Sequence, residues 1–358
     1  MHSILNNSLL AGLISLGISL LVSPIIIKAA TFLGIVDDPK KNKHPKVIHT
    51  YPTPRGGGIV VFIAVLIVTF IFLPLNKYLI GILTGATIIA IVGFLDDKYD
   101  LNPYLRIFLG FLAALAPIAS GIGIPFISNP LGGIIDLSNP QITLDILGKT
   151  RHIWILSDLF GLFFLVFMMQ MLNMGAKGVD GQLPGVVVIS ALTIIGISLK
   201  FFPDSNQFPV IILASITAGA YLGFLPWNFY PQKIMPGYGA STLAGYLLGV
   251  LSILSTTKVG TLLVVLGVPI IDTGYTMLRR ILHKKSPVWG DRGHLHHRLL
   301  DLGFSKKQVA LTYWGFTFVL GIVAINLNTI SKVYTMVGIA VLVGCLILWL
   351  TYRPKPNH

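Results

Sequence analysis

The segment LIGILTGATIIAIVGFLDDKYD, residues 79–100, decides how the rest of the chain is read. Its first 17 residues, Leu79–Leu95, carry no charge. Such a run needs an apolar surrounding, and roughly 20 such residues in a helix cross the ~30 Å hydrocarbon core of a bilayer. The run ends at Asp96-Asp97, with Asp100 close behind. Adjacent carboxylates at the end of an apolar helix repel each other unless a cation or phosphate chemistry uses them. The plain alternative is a solvated helix end.

The same pattern recurs along the chain. Candidate spans are Leu9–Ala30, Ile59–Leu73, Leu79–Leu95, Ile107–Ser120, Ile153–Leu172, Val186–Leu199, Val210–Leu225, Thr242–Leu254, Val259–Met277, Val309–Leu327 and Val333–Tyr352. Several reach spanning length only with their Gly and Ala neighbours. The expectation is an all-α integral membrane protein, a single polytopic domain over residues 1–358 with about 10–11 transmembrane helices. The first run has no basic segment before it and reads as a retained helix. Composition agrees: 54% of the 358 residues are hydrophobic and 11% charged, where soluble domains carry about 25% charged residues. One cysteine, Cys345, excludes an intramolecular disulfide and a metal–thiolate cluster.

The net charge of +13 would suit nucleic acid, but in an apolar chain it reads as a sidedness signal. With the N-terminus outside, 20 of the 26 Lys and Arg fall on the inner side. The positive-inside rule then places the C-terminus inside as well. All 13 acids are Asp, and nine of them lie at inner helix ends or inner loops. The inner loops fall near residues 31–58, 96–106, 173–185, 226–241 and 279–308. The long outer segment Gly121–His152 suggests a hairpin or re-entrant piece.

Each inner loop has a plain reading and a chemical one. Gly56-Gly57-Gly58 is a helix-entry turn or a close approach to a ligand. Asp180, between Gly residues, is a turn or an exposed carboxylate. Asn228, with Trp227, Phe229 and Tyr230, is part of an interfacial aromatic belt or a platform for a base. The fifth loop carries Arg279, Arg280 and then Asp291-Arg292-Gly293-His294-Leu295-His296-His297-Arg298. Three His and two Arg this close form a cationic donor cluster suited to a diphosphate. Its plain readings are a metal site or a patch for anionic headgroups. Zinc is disfavoured, because no carboxylate or thiol shares helical spacing with these His.

Taken in order, the motifs resemble those of the polytopic polyprenyl-phosphate N-acetylhexosamine-1-phosphate transferases, glycosyltransferase family 4. The resemblance rests on His49 with Pro52-Thr53-Pro54-Arg55 and Gly57-Gly58, on Asp96-Asp97, and on Asp180-Gly181. It continues through Asn228 with Pro231, Pro269 with Asp272, Arg280, Ser286-Pro287 and the Asp291–Arg298 run. That last run is similar to the GlcNAc-1-phosphate branch rather than the phospho-MurNAc-pentapeptide branch.

The resemblance implies transfer of HexNAc 1-phosphate from a UDP-sugar to polyprenyl phosphate, with release of UMP. It also implies a bacterial cell membrane, a cytoplasmic active site, Mg²⁺ as cofactor, no nucleic acid, and a homodimer by family analogy. Asp96 and Asp97 would meet the metal or the lipid phosphate, and Asp180 the uracil. Asn228, Arg280 and Asp291, with His294, His296, His297 and Arg292, would bind substrate. The competing readings are an inactive homologue that keeps lipid or nucleotide binding, and a transporter.

Two positions depart from the family pattern. Lys177 and Tyr238 stand where acids are expected. The expectation is that Lys177 takes over part of the metal's role as a phosphate-binding point charge.

Overall fold

A computed structural model describes residues 2–41, 47–129, 132–146, 149–201, 204, 206–255, 258–290 and 292–352. Thirteen helices dominate these residues. They are α1 (His2–Phe32), α2 (Gly57–Phe72), α3 (Lys77–Tyr99), α4 (Pro103–Ala119), α5 (Ile155–Gly175), α6 (Gln182–Lys200) and α7 (Gln207–Asn228). Then follow α8 (Gly237–Leu254), α9 (Lys258–Val265), α10 (Gly267–Leu282), α11 (Leu295–Asp301), α12 (Lys306–Asn326) and α13 (Thr329–Tyr352).

Eight of these helices are long and apolar enough to cross a membrane. Each of the eleven apolar runs falls on one helix, except the ninth. That run divides into α9 and α10, which meet at 81°. The break falls at Leu266, just before Gly267-Val268-Pro269, where Pro removes a backbone donor and disfavours a continuous helix. Helices α2 and α4, with 16 and 17 residues, are shorter than a full span. The segment expected outside folds into two antiparallel hairpins, β3 (Phe126–Ser128) with β4 (Ile134–Asp136), and β5 (Gln141–Ile146) with β6 (Lys149–Trp154). On the opposite end, β1 (Val36–Asp37) pairs with β2 (Thr53–Pro54) and ties the first loop down.

Local chemistry sets the helix ends. The Asn76 side chain caps α3 by accepting from the Leu79 N–H at 2.9 Å, and Asp100 ends it in a left-handed conformation at φ 54°. Asn102 caps α4 ahead of Pro103, and Ser305 with Gln308 forms a capping box on α12.

Lipid tails offer no hydrophobic drive between helices, so association relies on close packing through small residues. Helix α8 is the centre of the bundle, with 83% of its apolar window buried, whereas α13 is at the rim with 17%. At the core crossing, Gly58, Gly93 and Gly239 bring α2, α3 and α8 into backbone contact. A Cβ on Gly93 would lie 2.4 Å from the Gly239 Cα. Gly219 on α7 meets the Gly12 backbone of α1, and the Ser15 hydroxyl donates to the Ile216 carbonyl at 2.8 Å.

Candidate active site

The five loops that the charge pattern puts on one side gather at one end of the bundle. Four of them line an open cleft of about 230 Å³. Asp37, His49 and Arg55 come from the first loop. Asp96, Asp97, Asp100 and Arg106 come from the second, Lys177–Asp180 from the third, and Gln232 with Met235–Tyr238 from the fourth. The fifth loop packs behind the third. Gly178 lies so close to the His296 ring that a Cβ there would sit 2.3 Å from it.

Carboxylate–cation pairs organise the cleft. Asp96 is buried at the end of α3, and Arg106 grips it through Nη1, at 3.0 and 3.1 Å from its two oxygens. The Arg106 guanidinium lies over the Tyr238 ring, 5.1 Å from its centroid, and the phenol donates back to the Arg106 carbonyl at 3.2 Å. Asp37 accepts from Arg55 at 2.7 Å, and Asp100 lies 3.6 Å from the same guanidinium.

Asp97, also buried, accepts a backbone hydrogen bond from Tyr238 and feels the charges of both Arg55 and Lys177. Lys177 donates to the Gly237 carbonyl at 3.3 Å. Gly237 itself takes φ +63°, and a Cβ there would lie 2.4 Å from the Asp97 carboxylate, so only glycine fits. Acids and fixed cations thus alternate around the cleft.

The remaining predicted residues hold the loops together. Asp180 lies 3.4 Å from the Lys306 ammonium and accepts from the Gln232 N–H, also at 3.4 Å. Asn228 is buried. It accepts from the Gly181 N–H at 3.1 Å and donates to the Ile234 carbonyl at 2.9 Å. Arg280 is buried and donates to the Pro287 carbonyl at 2.7 Å. Asp272 takes the Leu295 N–H at 2.7 Å and His294 Nδ1 at 3.0 Å, which anchors the start of α11 to α10. Arg292 is paired with Asp301 at 2.8 Å. Asp291 lies outside the described residues.

The histidine run departs from the sequence reading. His294 and His296 stack at 5.4 Å, and His296 meets His297 at 4.4 Å. None of the three lines the cleft. Burial, then the neighbouring histidines, push His296 well below the ordinary range. Burial, then Arg292 and His294, push His297 down to about 4. These two imidazoles are neutral at pH 7, so they add no charge to the cationic cluster inferred from sequence.

A pH prediction follows. Below pH 6.5 the imidazole of the unfolded chain takes up a proton that folded His297 refuses until about pH 4. Stability therefore falls between about pH 6.5 and 4 and levels off below, by up to about 3 kcal/mol for this group. Thermal unfolding of the wild type against His297→Gln across this range checks it. Parallel profiles would contradict it.

The donor set does not form a cage for Mg²⁺. Asp96 is spent on Arg106, and Asp97 sits among Lys177, Arg55 and a backbone N–H. Among the described residues no three of His, Cys, Asp and Glu are placed so that they could hold a metal ion. Mg²⁺ asks for near-octahedral oxygen ligands, and this cleft offers cations beside its acids instead.

Arg106 belongs to no sequence motif and stands in the sequence only as one of the basic residues of the second inner loop. The signal was present: the Asn102-Pro103 cap starts α4 one turn before Arg106 and turns it back onto the end of α3. Lys306 and Gln232 carried no motif of their own, and Gly237 stood only as part of the Pro236-Gly237-Tyr238-Gly239 stretch of the fourth loop.

Comparison with known proteins places this geometry. The model of glycosyl transferase family 4 matches residues 79–256. The chain is 30% identical over 333 residues to a probable undecaprenyl-phosphate N-acetylglucosaminyl 1-phosphate transferase of Bacillus subtilis (strain 168), covering 89% of this chain and 84% of that one. It is 28% identical to a decaprenyl-phosphate N-acetylglucosaminephosphotransferase of Mycobacterium leprae, over 87% of this chain and 83% of that one. It is also 28% identical to a phospho-N-acetylmuramoyl-pentapeptide-transferase of Streptococcus uberis, over 86% and 92%. With its apolar helices, its convergent loops and relatives matched along most of their length, the chain belongs to glycosyl transferase family 4.

Proposed function

We propose that the protein is a phosphoglycosyl transferase. It moves N-acetylhexosamine 1-phosphate, with GlcNAc as the first sugar to test, from a UDP-sugar to polyprenyl phosphate. The observation that carries this reading is the cleft itself. Arg55, Arg106 and Lys177 surround the Asp96-Asp97 pair at the end of a spanning helix, where a lipid phosphate and a water-borne nucleotide could meet.

In the reaction an oxygen of the lipid phosphate attacks the β-phosphorus of the UDP-sugar. A new P–O bond forms, the bond from the β-phosphorus to the bridging oxygen breaks, and UMP leaves with that oxygen. No covalent protein intermediate is needed, so catalysis is positioning plus neutralisation of charge. Arg55 and Arg106 are held in place by Asp37 and Asp96. Each unit charge near a phosphate oxygen is worth about 1 kcal/mol in a water-like setting and several times that when partly buried. Asp97 orients the Lys177 ammonium. Asp180, Asn228 and Arg280 hold the third, fourth and fifth loops in register for the nucleotide, and the neutral His296 supports the third loop from behind.

The charge asymmetry of the loops supports a cytoplasmic cleft and an inner C-terminus, where nucleotide sugars are available. A homodimer is part of the reading by family analogy alone. Purified protein in lipid nanodiscs, given UDP-GlcNAc, should release UMP only when polyprenyl phosphate is added. No release with any UDP-HexNAc would favour a lipid- or nucleotide-binding homologue.

A further inference from the structure

We infer that the cleft supplies the positive charge for the sugar donor's diphosphate from its own side chains, with the Lys177 ammonium providing charge that a divalent cation would otherwise bring. This rests on the transfer reading above and deepens it.

Every carboxylate that lines the cleft faces a protein cation. Asp37 pairs with Arg55 at 2.7 Å, Asp96 with Arg106 at 3.0 Å, Asp100 with Arg55 at 3.6 Å and Asp180 with Lys306 at 3.4 Å. Asp97 is acted on by Arg55 and Lys177. A bound Mg²⁺ would have to displace guanidinium or ammonium groups from these oxygens and would itself be repelled by them.

The space beside Asp97 is closed on its other side as well. The Gly237 backbone is pressed against the carboxylate. Tyr238 follows, with a ring that lies under Arg106 and a phenol that donates to the Arg106 carbonyl. A phenol in that arrangement offers no charge to a metal. Lys177, half-buried and tied to Gly237, lines the same cleft wall as Asp97 and Asp180 and acts on the Asp97 carboxylate. An ammonium is a compact point charge with three donors, suited to phosphate oxygens in any orientation.

The test uses the full chain in nanodiscs, with either excess Mg²⁺ or excess EDTA. UDP-GlcNAc affinity is measured by titration calorimetry and turnover by UMP release. The wild type should bind in EDTA within about 3-fold of its affinity in Mg²⁺ and should keep releasing UMP. Lys177→Met should weaken binding by about 10-fold or more in both buffers, and Lys177→Arg by less. The double variant Lys177→Asp with Tyr238→Asp should make binding depend on Mg²⁺.

Wild-type binding and release that vanish in EDTA and return with Mg²⁺ would overturn the inference and leave the transfer reading standing. The wild-type comparison needs no variant to fold. No release under any divalent ion or in EDTA would sink the transfer reading, and the inference with it.

Discussion

Exchanging Asp97 for Asn is expected to cut UMP release by about 100-fold or more, the range seen when one preorganised electrostatic contact is lost. The two side chains have the same shape, and the amide oxygen can still accept the Tyr238 N–H. What disappears is the acid group that acts on Lys177 and Arg55 across the cleft. Asp97→Glu keeps the charge but lengthens the arm against the Gly237 backbone, which has no room to yield. It should therefore recover only part of the loss. Affinity for UDP-GlcNAc should fall with turnover, since the displaced cations bind the ground-state diphosphate as well. Unchanged turnover in Asp97→Asn would remove Asp97 from the reaction.

A second large effect is expected at a residue that has no side chain at all. Gly93→Ala should lower the melting temperature by several degrees and UMP release by about 10-fold or more. The new methyl would meet the Gly239 Cα at 2.4 Å, and Gly239 is itself in contact with Gly58. Backbone cannot rotate away as a side chain can, so α3 and α8 must separate. Asp97 sits one turn beyond Gly93 on α3, and Gly237 opens α8, so the separation pulls Lys177's anchor away from Asp97. Gly274→Ala on α10 is the control. Nothing lies within 4 Å of a Cβ there, and replacing helical glycine with alanine should leave stability unchanged or raise it. Equal behaviour of the two variants would show that the glycine crossing does not set the site.

Much of this was legible in the sequence because membrane solvation leaves a strong trace. Runs such as Leu79–Leu95 name their own environment, and the eleven runs map onto helices with only α9 and α10 divided. Loop charge told which loops belong together, and four of those five meet in one cleft.

Pairing was not legible. The adjacency of Asp96 and Asp97 suggested a shared cation, yet Asp96 pairs with Arg106, which returns from the next helix, while Asp97 lies in the field of Arg55 and of Lys177, from loops far apart along the chain. The histidine run looked cationic because sequence shows residue type and not burial. In the fold, His296 is 3% exposed and pressed against Gly178, and desolvation decides its charge. Asn228 and Arg280 carried motif signals that the fold spends on loop carbonyls and N–H groups. Such residues set geometry, and a motif alone does not separate that role from contact with a ligand.

The most direct measurement follows the two phosphates of the donor separately. UDP-GlcNAc labelled at the β-phosphate in one sample and at the α-phosphate in another is incubated with the protein and polyprenyl phosphate, and the lipid is extracted. The β label should pass into the lipid as a diphosphate-linked sugar, and the α label should remain in water as UMP, in equal amounts. Both labels leaving together as UDP would mean glycosyl transfer without phosphate. Neither label moving would mean that the cleft binds its substrates without joining them.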